Sequence, residues 1–180
     1  MKKRGQVWVE TVIYTLIALS IIGLFLSFAK PKIEEIQDKA IIGQSVTMLE
    51  DINGVILSIV QGGSGNQRVI ELGIKKGNLR IDGTKDQIIF EIEGRYTYTE
   101  PGENGQPGPH IDVGNVVATT QQRGKISTVT LISNYTNKYN ITYQGGENLK
   151  ILTKAPVAYK LFIANKGEVS GVDIIEMSII

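Results

Sequence analysis

The sequence predicts an α+β protein: a long N-terminal hydrophobic helix followed by an all-β, antiparallel, sandwich-like domain of immunoglobulin-like layout. Three observations lead there. Residues 11–29 contain neither a charged side chain nor a proline. Residues 33–59 repeat apolar side chains at three- and four-residue steps, the period of a helix with one buried face. From residue 69 onward the texture changes to short runs of β-branched and aromatic residues separated by turn chemistry.

The basic leader, residues 1–5, carries Lys2, Lys3 and Arg4 directly ahead of the apolar run. As a helix, residues 11–29 rise roughly 28 Å, close to the hydrocarbon thickness of a bilayer. Apolar side chains go all round this segment, so it needs lipid or a sheath of other apolar helices. The basic triplet places its N-terminus in the cytoplasm and the bulk of the chain outside, against weaker competition from Lys30 and Lys32. Pro31 can start a helical segment or kink a continuing one. Beyond it, Ile33, Ile36, Ala40, Ile41, Ile42, Val46, Leu49, Ile52, Val55, Ile56 and Ile59 form a stripe. Glu34, Glu35, Asp38, Lys39, Gln44, Glu50 and Asp51 fall between them. The helix therefore spans residues 6–60, with its first half apolar all round and its second half packing through one face. A glycine-rich hinge follows at 61–68.

The outer domain, 69–180, contains nine candidate strands at 69–75, 79–83, 87–99, 111–120, 125–135, 139–145, 148–154, 159–165 and 172–179. Short strands at near-regular spacing with little helix between them predict a sandwich. Residues 100–110, EPGENGQPGPH, are an exposed loop.

Composition excludes several classes of function. Hydrophobic residues make up 42% of the chain and charged residues 21%, ordinary values for a folded protein. A formal net charge of +1 gives no electrostatic basis for nucleic-acid binding. Cysteine is absent, which removes disulfides, thiolate nucleophiles and Cys-based metal sites. His110, the only histidine, stands beside a Gly/Pro loop with no acidic cluster. Asp82, Asp86 and Asp112 lack metal-loop spacing. No nucleophile motif or phosphate loop is present. The chain is expected to have no catalytic residue, no metal and no cofactor. Arg95, Tyr96 and Tyr98 would form either a cross-strand packing group on a solvent face or an adhesive stripe.

The stretch K-K-R-G-Q-V-W-V-E-T ahead of an apolar run resembles the class III signal peptide of archaeal type IV pilins. The resemblance implies cleavage between Gly5 and Gln6 by a prepilin peptidase, with Glu10 fifth in the mature chain. It further implies that the apolar helix is retained and becomes the packed centre of a filament. The implied partners are further copies of the chain or other pilins, an assembly ATPase, a platform membrane protein, and the membrane before assembly. The implied localisation is the cell membrane for the precursor and then an extracellular pilus serving adhesion or surface attachment. Trp8 departs from the family, standing where a small or hydroxyl residue is common. The glycine-rich start of archaellins is absent.

The resemblance also gives Glu10 a role. A carboxylate at the centre of a membrane helix costs about 2.5–3.5 kcal/mol, and less near the interface. Cleavage after Gly5 creates an α-amino group on Gln6, and Glu10 of one copy would pair with that amine on a neighbour, setting register between subunits. The plainer alternative is a headgroup-level carboxylate favoured by the helix N-terminus. Two rival readings discard the polymer. In one, Ser27-Phe-Ala29 acts as an ordinary signal-peptidase site and a soluble β-domain is secreted. In the other, an uncut anchor displays a binding domain. Asn134-Tyr-Thr136 and Asn140-Ile-Thr142 are N-glycosylation acceptor patterns on this external domain.

Overall fold

The computed structural model describes residues 3–180, with side chains from Val7 onward. Its first element is one helix, α1, Lys3–Gln61, of 59 residues, on the order of 90 Å long. Pro31 lies inside it without ending it. A proline removes the donor to the carbonyl four residues back, here that of Ser27. The next hydroxyl below, Ser27 Oγ, already donates to the Leu24 carbonyl at 2.6 Å. The interruption thus falls where the apolar run gives way to charged residues.

Ten strands follow: β1 (Gln67–Leu72), β2 (Asn78–Asp82), β3 (Gln87–Gly94), β4 (Ile111–Val113), β5 (Val116–Arg123), β6 (Ile126–Asn134), β7 (Tyr139–Tyr143), β8 (Leu149–Thr153), β9 (Tyr159–Val169) and β10 (Val172–Ile179). They make two sheets, a four-stranded one in the order β1-β9-β10-β7 and a six-stranded one in the order β4-β5-β6-β3-β2-β8. The six-stranded sheet is antiparallel throughout. The four-stranded sheet is mixed, because β7 runs parallel to β10. This corrects the all-antiparallel expectation. The pairing joins strands far apart in sequence, so no hairpin signal announces it.

Two predicted strands change shape. The run at 111–120 is a hairpin, β4 and β5, turned at Gly114 with φ +62°. The run at 87–99 ends as a strand at Gly94. There the carboxylate of Asp38 approaches so closely that any Cβ on Gly94 would collide with it. The loop 100–110 does not wander: Gly108 donates its N–H to the Thr120 carbonyl at 2.9 Å, and Pro107 bridges to Gln121.

The upper half of α1 belongs to the β-domain core. Ile42, Val46, Leu49, Ile52, Ile56 and Ile59 are buried and meet strands of both sheets, β1 and β9 in one and β3, β5 and β6 in the other. Full burial of each such side chain contributes about 1.5–3 kcal/mol. The expected stripe is shorter than its sequence period suggested. Ile33 and Ile36 are exposed, because the sheets cover the helix only from Asp38 upward, and Ala40 is exposed on the open groove beside β1.

Asp38 closes that boundary. It is 2% exposed, accepts the Arg95 backbone N–H at 2.7 Å and pairs with Lys76 Nζ. One turn below, Glu34 accepts from Arg95 Nε at 2.6 Å across a solvent-facing pair. Lys39 Nζ lies 5.7 Å from the Tyr96 ring centroid. Arg95, Tyr96 and Tyr98 therefore lie beyond the end of β3, with Arg95 and Tyr96 engaging the helix and Tyr98 half-buried against the core, rather than forming a cross-strand or adhesive stripe. At the other end of α1, Asn66 Nδ2 donates to the Gly63 carbonyl at 3.1 Å and Gly65 N–H to the Asn165 carbonyl at 2.8 Å. The first bond closes the glycine-rich turn and the second ties it to β9.

Replacing Asp38 by Ala should destabilise the domain by about 1–3 kcal/mol, since a buried donor and an ammonium lose their acceptor together. Glu34→Ala, at an exposed pair, should cost no more than about 1 kcal/mol. Thermal or denaturant unfolding of both variants in detergent measures the difference, and equal effects would contradict the anchoring role of Asp38.

Candidate functional site: an uncovered apolar helix

The lower half of α1 has no cover within the chain. From Val7 to Phe28 its large apolar side chains are exposed on every face; Trp8 and Phe28 are each 71% accessible. It is long and apolar enough to cross a membrane, with mean hydropathy 2.4 in its most apolar window.

The polar groups of this segment are arranged for an apolar surrounding. Among residues 11–29 the hydroxyls belong to Thr11, Tyr14, Thr15, Ser20 and Ser27. Thr11, Thr15 and Ser20 donate to carbonyls four residues back, at 2.8–2.9 Å, and Ser27 to the carbonyl three back. Tyr14 Oη donates to Glu10 Oε1 at 3.4 Å. Every side-chain donor in the span thus has an acceptor on its own helix, the condition for placing polar groups where water is absent.

Glu10 is consequently not isolated even in a single chain. The Tyr14 hydroxyl one turn above supplies a donor that the sequence reading missed. The signal was the four-residue spacing of Glu10 and Tyr14, which places the two on one helical face. The opposite partner assigned by resemblance, the Gln6 amine, and the leader residues Lys2, Lys3 and Arg4 lie outside the described side chains. The same holds for the cleavage pair Gly5 and Gln6, whose backbone continues α1.

Beyond Gly5, three glycines, Gly23, Gly43 and Gly54, sit inside α1, where each costs roughly 1 kcal/mol relative to alanine. None is required by a contact inside the chain, since a Cβ built on any of them meets nothing within 4 Å. Gly43 and Gly54, with Ala40, Thr47 and Ser58, flank an open groove of about 890 Å³ between α1 and the edge strand β1.

The remaining candidates are dispersed. Asn134 is exposed at the end of β6, and its Oδ1 accepts from the Thr136 N–H at 3.1 Å and hydroxyl at 2.7 Å. Asn140 is half-buried in β7, with its Oδ1 enclosed. Asp82 caps its own turn by accepting from the Thr84 and Lys85 N–H groups, and Asp86 accepts from the Ile141 N–H at 2.8 Å. His110 is exposed beside its loop. Burial pushes the Tyr135 phenol well above its ordinary value near 10, which keeps this core group neutral. Among the described residues no three His, Cys, Asp or Glu side chains stand where they could hold a metal ion.

A long apolar N-terminal helix followed by β-sheets is an architecture consistent with a pilin. No protein-family model matches the chain, and no curated protein or solved structure does so.

In cells that N-glycosylate exported proteins, the exposed Asn134 should carry any glycan added after folding, whereas the enclosed Asn140 should not. Intact mass of Asn134→Gln and Asn140→Gln chains distinguishes them; loss of a glycan only in Asn140→Gln would reverse the assignment.

Proposed function

We propose that the chain is a structural, non-catalytic subunit: a type IV pilin-like precursor cleaved after Gly5 and assembled through α1 into an extracellular pilus. The observation that carries this reading is the continuity of α1. One unbroken helix is apolar and uncovered in its lower half, with its hydroxyls internally satisfied. The same helix is the core of the β-domain in its upper half. A disposable signal sequence has no need of such rigid continuity, whereas a polymer spine that must position an outer coat does.

The glycines support the same reading. Residues that give up helix stability without serving any contact in their own chain leave room for another backbone. Extraction from lipid gains little hydrophobic free energy, so close helix packing and a localised charge have to supply the preference for the filament. Glu10 supplies the charge. In the subunit its carboxylate rests on the Tyr14 hydroxyl; in the filament it exchanges that weak contact for the Gln6 amine of a neighbour.

N-terminal sequencing of the mature product is the decisive experiment. A start at Gln6 is expected. A start at Lys30 would replace the pilin reading by a secreted β-domain, and a start at Met1 by an uncut anchor. Glu10→Ala should leave membrane insertion intact while lowering filament yield at least tenfold, and Tyr14→Phe should assemble normally or better. Filaments of ordinary abundance and order from Glu10→Ala, counted by electron microscopy, would remove the register role.

A further inference from the structure

We infer that the helix-proximal end of the β-domain is a docking surface for anionic lipid headgroups, so that the unassembled subunit rests on the bilayer that holds α1. The inference depends on α1 spanning a membrane, as proposed above. The register of the sheets fixes which loops share this end. β3 ends there at Gly94, β6 begins there at Ile126, and β2 begins there just after Lys76. The β5–β6 turn, 123–126, brings Lys125 and Ile126 beside Glu34 and Gln37 of the helix. The β8–β9 connection reaches the same end, where Ala155 donates its N–H to the Ile74 carbonyl at 3.2 Å.

The distances suit contact. Residues 30–38 rise about 12 Å along the helix beyond the last apolar residues, and the 123–126 turn shares a groove with Glu34, Gln37, Asp38 and Ile41. The headgroup layer on each side of a bilayer is about 5–8 Å thick. Lysine and arginine side chains on this turn therefore reach phosphate level, and a modest helix tilt brings them closer.

The chemistry suits it as well. The helix carboxylates at this level are already engaged: Glu34 with Arg95, Glu35 with Lys32 and Asp38 with Lys76. Lys75, Arg123, Lys125 and Lys154 remain exposed without an ion-pair partner among the described residues, opposed by Glu93 and by Glu100 and Glu103 of the loop beside Arg123. Two large apolar side chains project at the same end with nothing to cover them, Ile126 at 55% exposure and Val157 at 75%. Basic groups interleaved with protruding apolar tips are the composition of an interfacial membrane contact. The opposite end, in the row of Asp82, Gln87 and Asn134, also exposes an apolar residue, Leu149 at 56%, but it stands a strand length away from Asp38 and the lower helix.

The absence of cysteine makes the test direct. Single-cysteine chains Ile126→Cys, Lys138→Cys and Leu19→Cys, labelled with an environment-sensitive fluorophore, are reconstituted into phosphatidylcholine vesicles with or without phosphatidylglycerol. Headgroup-attached quenchers should quench the label at 126 several-fold more than the label at 138 when phosphatidylglycerol is present. Arg123→Glu with Lys125→Glu should abolish that difference. Equal quenching at 126 and 138, with the label at 19 still reached by acyl-chain quenchers, overturns the docking surface while leaving the membrane helix standing. A label at 19 that acyl-chain quenchers do not reach overturns both.

Discussion

The structure depends on one helix serving two surroundings at once. Below Lys30, α1 exposes apolar groups on all sides; above Asp38, it hides one face among strands of both sheets. The buried stripe from Ile42 to Ile59 makes the β-domain inseparable from the helix, since removing it would open the six-stranded and four-stranded sheets to water along their shared interior. The domain is thus built on the helix rather than hung from it. A force or rotation applied to the lower half is transmitted to the sheets through packed side chains instead of through a flexible linker.

Asp38 marks the transition. Its carboxylate is buried at the rim of the core, where a lone charge would be costly, and it is tolerated because a backbone N–H and an ammonium converge on it. Gly94 is the complementary requirement, because the carboxylate occupies the space a side chain would need. The pair fixes both the height and the rotation at which the sheets grip the helix. Rotating the helix by one residue would carry Asp38 away from Arg95 and turn the Ile42–Ile59 stripe out of the core.

Much of this was legible in the sequence, and the exceptions share a cause. The helix, its apolar and amphipathic halves and nearly all the strand positions follow from local periodicity, which reads short-range geometry directly. Asp38 was assigned to the polar face, and no local pattern could have moved it. Its burial depends on where Lys76 and the Arg95 N–H arrive from distant strands. The parallel β7–β10 pair and the shortened stripe at Ile33 and Ile36 are likewise set by how far the sheets extend. At the candidate site, Glu10 stood out because a charge in an apolar run is visible by inspection. Tyr14 did not, because its role appears only once both residues are placed on one helical face.

That same face bears on why the lower helix tolerates a carboxylate at all. A lone carboxylate within an apolar span favours any state that offers it a donor. The Tyr14 hydroxyl at 3.4 Å offers a weak, neutral hydrogen bond, enough to lower the cost of holding Glu10 in the lipid interface but well short of what a cation offers. A stronger internal partner, such as a lysine at position 14, would satisfy the carboxylate within one chain and leave nothing for a second chain to supply. The weakness of the Glu10–Tyr14 contact is therefore consistent with a group that must remain available. In the proposed membrane-held subunit, it would lower the cost of the carboxylate without removing the difference in free energy that draws a cationic partner to it.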